Sequence, residues 1–160
     1  GVCGAVPFYR RKYLDNIKVD KEYFDEDFFA YKEDVDLSWR LNLAGYKCMY
    51  FPQAIAYHGR GMGGSRKGLI KFIKNRRSQS KFLRGISFRN HYLMLIKNET
   101  YYTYNCDKWK IWGRFLMFLC YSMIFELFNF KYLYQILKLK NNMINKRSNK
   151  SEDIENLFYN

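Results

Sequence analysis

Residues 28–40 read Phe-Phe-Ala-Tyr-Lys-Glu-Asp-Val-Asp-Leu-Ser-Trp-Arg, and three carboxylates, Glu33, Asp34 and Asp36, stand together within them. Apolar positions Val35, Leu37, Trp39, Leu41 and Leu43 continue to Ala44, and Gly45 supplies a stop, so the pattern predicts a helix over 34–44. Acidic side chains in a first helical turn suit the positive end of the macrodipole. That general preference does not explain why an aromatic, nearly uncharged run from Phe28 to Tyr31 leads straight into three acids. A carboxylate at the end of a strand, beside the mouth of an α/β sheet, is where that fold class places reacting groups. Asp36 and Arg40 are four apart, the spacing of an intrahelical ion pair, and are read as structural.

Upstream, residues 1–9 alternate small and apolar and predict a strand. Arg10-Arg11-Lys12 then leads to a short helix or turn over 13–17, and 19–27 is an acidic, aromatic loop. Downstream, 46–57 holds Cys48, Tyr50, Ile55 and Tyr57 around Pro52, which predicts two short strands hinged at the proline and delivers His58 to a sheet edge. The stretch 59–67, Gly-Arg-Gly-Met-Gly-Gly-Ser-Arg-Lys, combines glycines that allow close backbone approach with cations that suit phosphate. It lacks the closing Lys-Ser/Thr of a Walker loop. An amphipathic helical pattern fills 69–96, with Leu69, Phe72 and Ile73 on one face and Lys71, Lys74 and Arg77 elsewhere. His91 falls in it as an ordinary polar residue, and 98–107 is a polar break. Residues 109–139 are the most apolar, but their uncharged core is shorter than the ~20 residues of a spanning helix. An interfacial or packed helix fits better, with Trp109, Trp112, Tyr132 and Tyr134 at its flanks. From Lys138 onward the Lys/Asn/Ser-rich tail is expected to fray.

The 160 residues, 48% apolar and 20% aromatic, can build one domain with a real core and exclude disorder outside the tail. The net charge of +13 is unevenly spread: nine of the fifteen acids precede position 37. Between 60 and 97 there are eleven Lys or Arg and no acid, a block that calls for a polyanion or an anionic membrane surface. Cys3, Cys48, Cys106 and Cys120 form no C-x-x-C pair and are expected to be free thiols.

Gly4-Ala5, Tyr9-Arg10-Arg11, Phe24-Asp25-Glu26 with Phe28-Phe29, Glu33-Asp34-Val35-Asp36-Leu37 and Arg40 carry a resemblance, followed in order by Gly45-Tyr46, Pro52, Ala54 and His58. In these residues the chain resembles the C-terminal half of the catalytic domain of family 2 glycosyltransferases. It is most similar to the rhamnosyl- and galactofuranosyl-type branch that builds bacterial surface polysaccharides. The resemblance implies an α/β fold: the C-terminal half of a GT-A (Rossmann-like) domain over 1–67, basic amphipathic and apolar helices at the membrane surface over 68–140, and a polar tail over 141–160. The chain is then expected to be a fragment, because the family's nucleotide-binding half with its Asp-x-Asp metal motif is not in it. Asp34-Val35-Asp36 satisfies that pattern but stands ahead of a helix and is followed by Leu-x-x-Arg, which argues against it.

By this resemblance the function is inverting transfer of a sugar from a nucleotide-diphosphate donor to a saccharide or polyprenyl-pyrophosphate-linked acceptor. Asp34 is expected as the base that takes the acceptor proton, with Glu33 near the acceptor and Gly4 and Ala5 lining the sugar site. His58 is expected as a ligand of a divalent metal, Mn²⁺ or Mg²⁺. Arg60, Ser65, Arg66 and Lys67 would meet the diphosphate. The enzyme would sit peripherally on the cytoplasmic face of an anionic membrane and bind no nucleic acid. The alternative is a basic nucleic-acid-binding module centred on 60–97, but its aromatics do not alternate with its cations as a base-stacking platform requires.

Overall fold

The computed structural model of the chain describes residues 4–57, 73, 74, 76–98 and 101–147, the backbone alone over 101–107. Its elements are helices: α1 (Arg11–Asn16), α2 (Glu33–Leu43), α3 (Lys81–Asn98), α4 (Tyr101–Phe125) and α5 (Phe130–Asn145), with 3-10 turns at Glu26–Phe28 and Leu127–Asn129. Local sequence sets the ends of α2. Gly45, at φ 81°, turns the chain, and the N–H groups of Gly45 and Tyr46 return to the carbonyls of Asn42 and Leu41 at 2.9 Å each. This satisfies carbonyls that the helix itself cannot. The expected ion pair is present within α2, Arg40 Nε to Asp36 Oδ2 at 2.9 Å, with both side chains buried.

Helix α3 starts where Ser80 Oγ accepts from the Leu83 N–H at 3.2 Å, an N-cap that separates it from the helical residues 73, 74, 76 and 77. The continuous helix expected over 69–96 is therefore broken at 78–80. Ile86, Phe88, Leu93 and Met94 of α3 join Phe28 with Tyr132, Ile136 and Met143 of α5 in the larger core. The two helices approach closely at Gly85, where an added Cβ would overlap the Tyr132 ring. Helix α4 covers another side through rings: Phe88 stacks on Phe118 at 5.5 Å, and Tyr92 meets Phe115 edge-on at 5.2 Å. A smaller cluster of Ile17, Leu37 and Leu41 seats α1 and the inner face of α2.

The α/β expectation is overturned. Among the described residues there is no strand; the β-type pairing they hold is one isolated bridge between Val19 and Glu22. The part of 1–9 that is described is a turn followed by irregular chain, and 46–57 is irregular and exposed, with Met49, Tyr50 and Tyr57 each at least 87% accessible. The physical reason is that strand propensity needs a neighbour. Residues 46–57 carry β-forming side chains but meet no second strand among the described residues that could take their backbone hydrogen bonds. A GT-A or Rossmann-like sheet is not found among the described residues.

Two further expectations change. The tail does not fray at Lys138: α5 runs to Asn145, Met143 is fully buried, and Arg147 donates to the Ile96 carbonyl at 2.6 and 2.9 Å. The basic block of 60–97, expected to meet a polyanion or an anionic surface, is in its described part engaged within the fold. Arg76 and Arg84 pair with Glu126, Lys97 pairs with Asp25 and Asp36, and Arg89 donates to the carbonyls of Asp27 and Phe28. The acids that the block lacks locally are supplied from outside it.

Candidate functional site

The chain enters α2 through a strained turn. Phe29 has φ 61° and ψ −57°, and the Ala30 N–H reaches back to the Phe28 carbonyl at 2.6 Å, which makes a γ-turn of the rare positive-φ kind. Tyr31 at φ 67° and Lys32 at φ 75° are also left-handed, although none of the three is glycine. Each such residue costs about 1–3 kcal/mol and persists only where its surroundings fix it. Here the fixing group is Asn90 of α3, fully buried, whose Nδ2 donates to the carbonyls of Phe28, Ala30 and Tyr31 at 2.6, 2.6 and 2.8 Å. Arg89 adds donors to Asp27 and Phe28 carbonyls at 2.7 and 3.2 Å. The turn is held from outside its own sequence.

Beyond the turn, Glu33 and Asp34 are the first two residues of α2. Asp34 is half-buried; its Oδ2 accepts from the Gly4 N–H at 2.9 Å and its Oδ1 from the Val35 N–H at 2.8 Å. These bonds fix the plane of the carboxylate. Gly4 allows the contact, because a Cβ there would stand 3.2 Å from Asp34 Cβ and 3.3 Å from Oδ2, tighter than side chains accept comfortably. Ala5 is exposed next to Gly4. Glu33 Oε2 is buried with no hydrogen-bond partner among the described residues, a state that costs about 1–3 kcal/mol.

Asp36, one turn in, belongs to a closed charge cluster. Its Oδ2 accepts from Arg40 at 2.9 Å and Lys97 at 3.0 Å, and its Oδ1 from Asn98 at 2.8 Å. Lys97 also reaches Asp25 at 2.7 Å, and Lys146 bonds Asp25 at 2.8 Å and Asp27 at 2.9 Å. Arg40 spends its remaining donors on the carbonyls of Ile17 and Tyr23 at 2.7 and 2.6 Å. Three carboxylates thus meet three cations, each held by at least two hydrogen bonds, which makes the buried ion network tolerable. Asp25-Glu26-Asp27 is thereby structural, not a metal motif. His91 lies against Tyr92 and Phe118, edge-on at 5.3 and 5.7 Å; burial, then the charges of Lys32 and Arg114, push its pKa down to about 4.

Of the residues expected at the site, Gly4, Glu33 and Asp34 come together. His58, Arg60, Ser65, Arg66 and Lys67 lie outside the described residues. Among the described residues no three of His, Cys, Asp and Glu converge to hold a metal ion. Asn90 and Lys97 went unseen in the sequence, yet a signal was there. Ile86, Asn90, Leu93 and Lys97 follow the i, i+4, i+7, i+11 spacing of one buried stripe, and a polar residue on such a stripe needs a partner. No family model matches the chain, and no curated protein and no solved structure matches it either.

Proposed function

We propose that the first turn of α2 is the base end of an inverting, nucleotide-sugar-dependent glycosyltransferase. Asp34 takes the proton of an acceptor hydroxyl as that oxygen bonds to the anomeric carbon of the donor; the bond from that carbon to the nucleotide diphosphate breaks, and the leaving group departs with the electron pair. The observation that supports this best is the Gly4–Asp34 contact at 2.9 Å. It joins two elements of the resemblance, thirty residues apart in the chain, on the carboxylate to which the base role falls. A turn strained at three non-glycine positions and locked by Asn90 keeps that carboxylate from relaxing, which is what a reacting group needs. An acceptor hydroxyl donating to Glu33 Oε2 would relieve that buried oxygen and orient the sugar.

The donor class is a nucleotide-diphosphate sugar such as dTDP-rhamnose, and the acceptor a saccharide or polyprenyl-pyrophosphate-linked saccharide. A divalent metal in this reading depends on His58, and the described acids do not offer a place for one, because Asp25 and Asp36 are already matched by Lys97, Lys146 and Arg40. No step here runs through it. The test is kinetic. In the full-length protein Asp34→Asn is expected to lower kcat by roughly 10²–10⁴-fold, the usual share of a general base, with the donor KM little changed. Turnover within threefold of wild type removes Asp34 from the role.

A further inference from the structure

A helix that is apolar all round needs apolar neighbours on all sides, and α4 has them on one. Its inward residues, Phe115 and Phe118, pack on α3. Its outward ones, Trp109, Trp112, Leu116, Met117 and Ile124, repeat at helical spacing and are exposed. The same is true past the bend, where Leu127, Phe130, Tyr134 and Leu137 face out while Tyr132, Ile136 and Met143 face in. Lys108–Phe125 and Leu127–Asn145 are bent by 117° and pass together, though not singly, a test of length and apolarity for crossing a membrane.

Glu126, at the bend, is the one acid between 108 and 147 and would break this face if it pointed outward. It does not. The residue is fully buried, and Arg76 grips its two oxygens at 2.8 Å each while Arg84 adds a bond at 3.1 Å and Asn129 one at 2.9 Å. The clamp removes the one negative charge from the outer surface and holds the bend together. What remains outside is apolar, rimmed by Lys108, Arg114, Lys131 and Lys138, all exposed; Asp107, next to Lys108, is the one acid adjacent to any of the four in the sequence.

We propose that this outer face of α4 and α5 seats in one leaflet of an anionic bilayer, with the bend at 124–130 the most deeply inserted part and Trp109, Trp112 and Tyr134 at the headgroup level. The proposal is independent of the transfer chemistry. Charge selects lipid over a second copy of the chain: a two-fold pairing of this face would set a rim with four cations and a single neighbouring acid in sequence against its own copy, whereas anionic headgroups complement the rim and acyl chains the stripe. Amphipathic rings at the stripe's end suit an interface more than a dry protein contact. No single described helix is long and apolar enough to cross, and the 117° bend turns the second segment away from the line of the first, which suits contact with one leaflet.

The experiment is flotation of the purified full chain with vesicles of phosphatidylcholine alone or mixed with phosphatidylglycerol. Binding to the mixed vesicles is expected, weakened but not abolished by high salt. The double variant Ile124→Glu/Leu127→Glu, checked for helicity by circular dichroism, should bind about tenfold more weakly or worse, since two apolar anchors are lost. Should that variant not fold, brominated lipids decide in wild type: they should quench tryptophan emission, and the quenching should vanish in Trp109→Phe/Trp112→Phe. The proposal fails if the folded chain does not float, if the double variant floats like wild type, if bromolipid quenching is absent, or if a stable dimer that the same glutamates dissolve covers the face in solution.

Discussion

Asp34 and Asp36 are two residues apart on one helix and are handled in opposite ways. Asp36 is fully buried, and its oxygens receive a guanidinium, an ammonium and an amide from α2 and α3. Asp34 is half-buried and held, among the described residues, by backbone N–H groups from Gly4 and Val35. The first arrangement neutralises a charge, and the second aims one. A helix turns about 100° per residue, so two positions are enough to swing a side chain from the α3 interface to the edge of the protein. What the contrast teaches is that an acidic run is a set of separate sites, each defined by what its face of the helix meets.

The sharpest way to break the contrast is to neutralise each acid in turn. Asp34→Asn should cost turnover by the factor given above and leave the melting curve almost unmoved. Asp36→Ala should do the reverse in thermodynamic terms: it strands Arg40 and Lys97 in the interior, and breaking a buried pair in this way costs about 3–5 kcal/mol. Urea unfolding followed by circular dichroism measures both. If Asp36→Ala is the harmless one, the cluster is not what anchors α2 to α3.

Asn90 tests whether the turn before Asp34 is held by α3. Asn90→Ala removes the donor to three carbonyls and is expected to cost about 1–3 kcal/mol. Asn90→Asp should be worse, although it is nearly the same shape, because an ionised carboxylate offers no donor and faces those carbonyls with negative charge. Equal melting temperatures for the alanine and aspartate variants would mean that the turn holds itself.

A smaller effect is the dependence of stability on pH. Burial pushes the Asp25 carboxyl up, but hydrogen bonds from Lys146 and Lys97 outweigh it and leave it below its ordinary 3.8. Glu126 follows the same pattern: burial raises it, yet Arg76, Asn129 and Arg84 bring it below 4.5. Groups depressed in the folded state stabilise it above their unfolded values, and that contribution is lost as pH falls through the folded ones, so both should matter below about pH 4. His91 acts earlier in an acid titration. Its folded pKa of about 4 lies below the ordinary 6.5, so the unfolded chain binds its proton first and stability should decline between these two values. His91→Phe should flatten the decline between pH 6.5 and 4 and leave the lower one. Lys146, raised above its ordinary 10.5 despite burial by Asp25 and Asp27, keeps its contribution until the pH climbs past that value.

How much of this was legible in the sequence follows the range of the forces involved. The helix around Leu37 and Leu41, its stop at Gly45 and the Asp36–Arg40 pair are readable because each depends on residues within one or two turns. So was the pairing of apolar length with aromatic flanks over 109–139. The candidate site was half legible: Glu33 and Asp34 announce themselves as a charge cluster, but the turn that presents them depends on Asn90, some sixty residues later. Strands over 1–9 and 46–57 were expected from alternation alone, and alternation does not supply the second strand on which a ladder is built. The basic block was read as calling for a polyanion or an anionic surface because sequence shows the charge of a side chain but not its counter-ion. Glu126 is a clamp that no local pattern announces, since its partners Arg76 and Arg84 lie 50 and 42 residues away. By itself the sequence determined where α2 runs and stops and which residues carry charge, because those are settled by neighbours along the chain. Only the tertiary structure decided which charges are interior, which apolar stripe is left uncovered and which carboxylate stays half open, because each requires the packing of α2, α4 and α5 against α3.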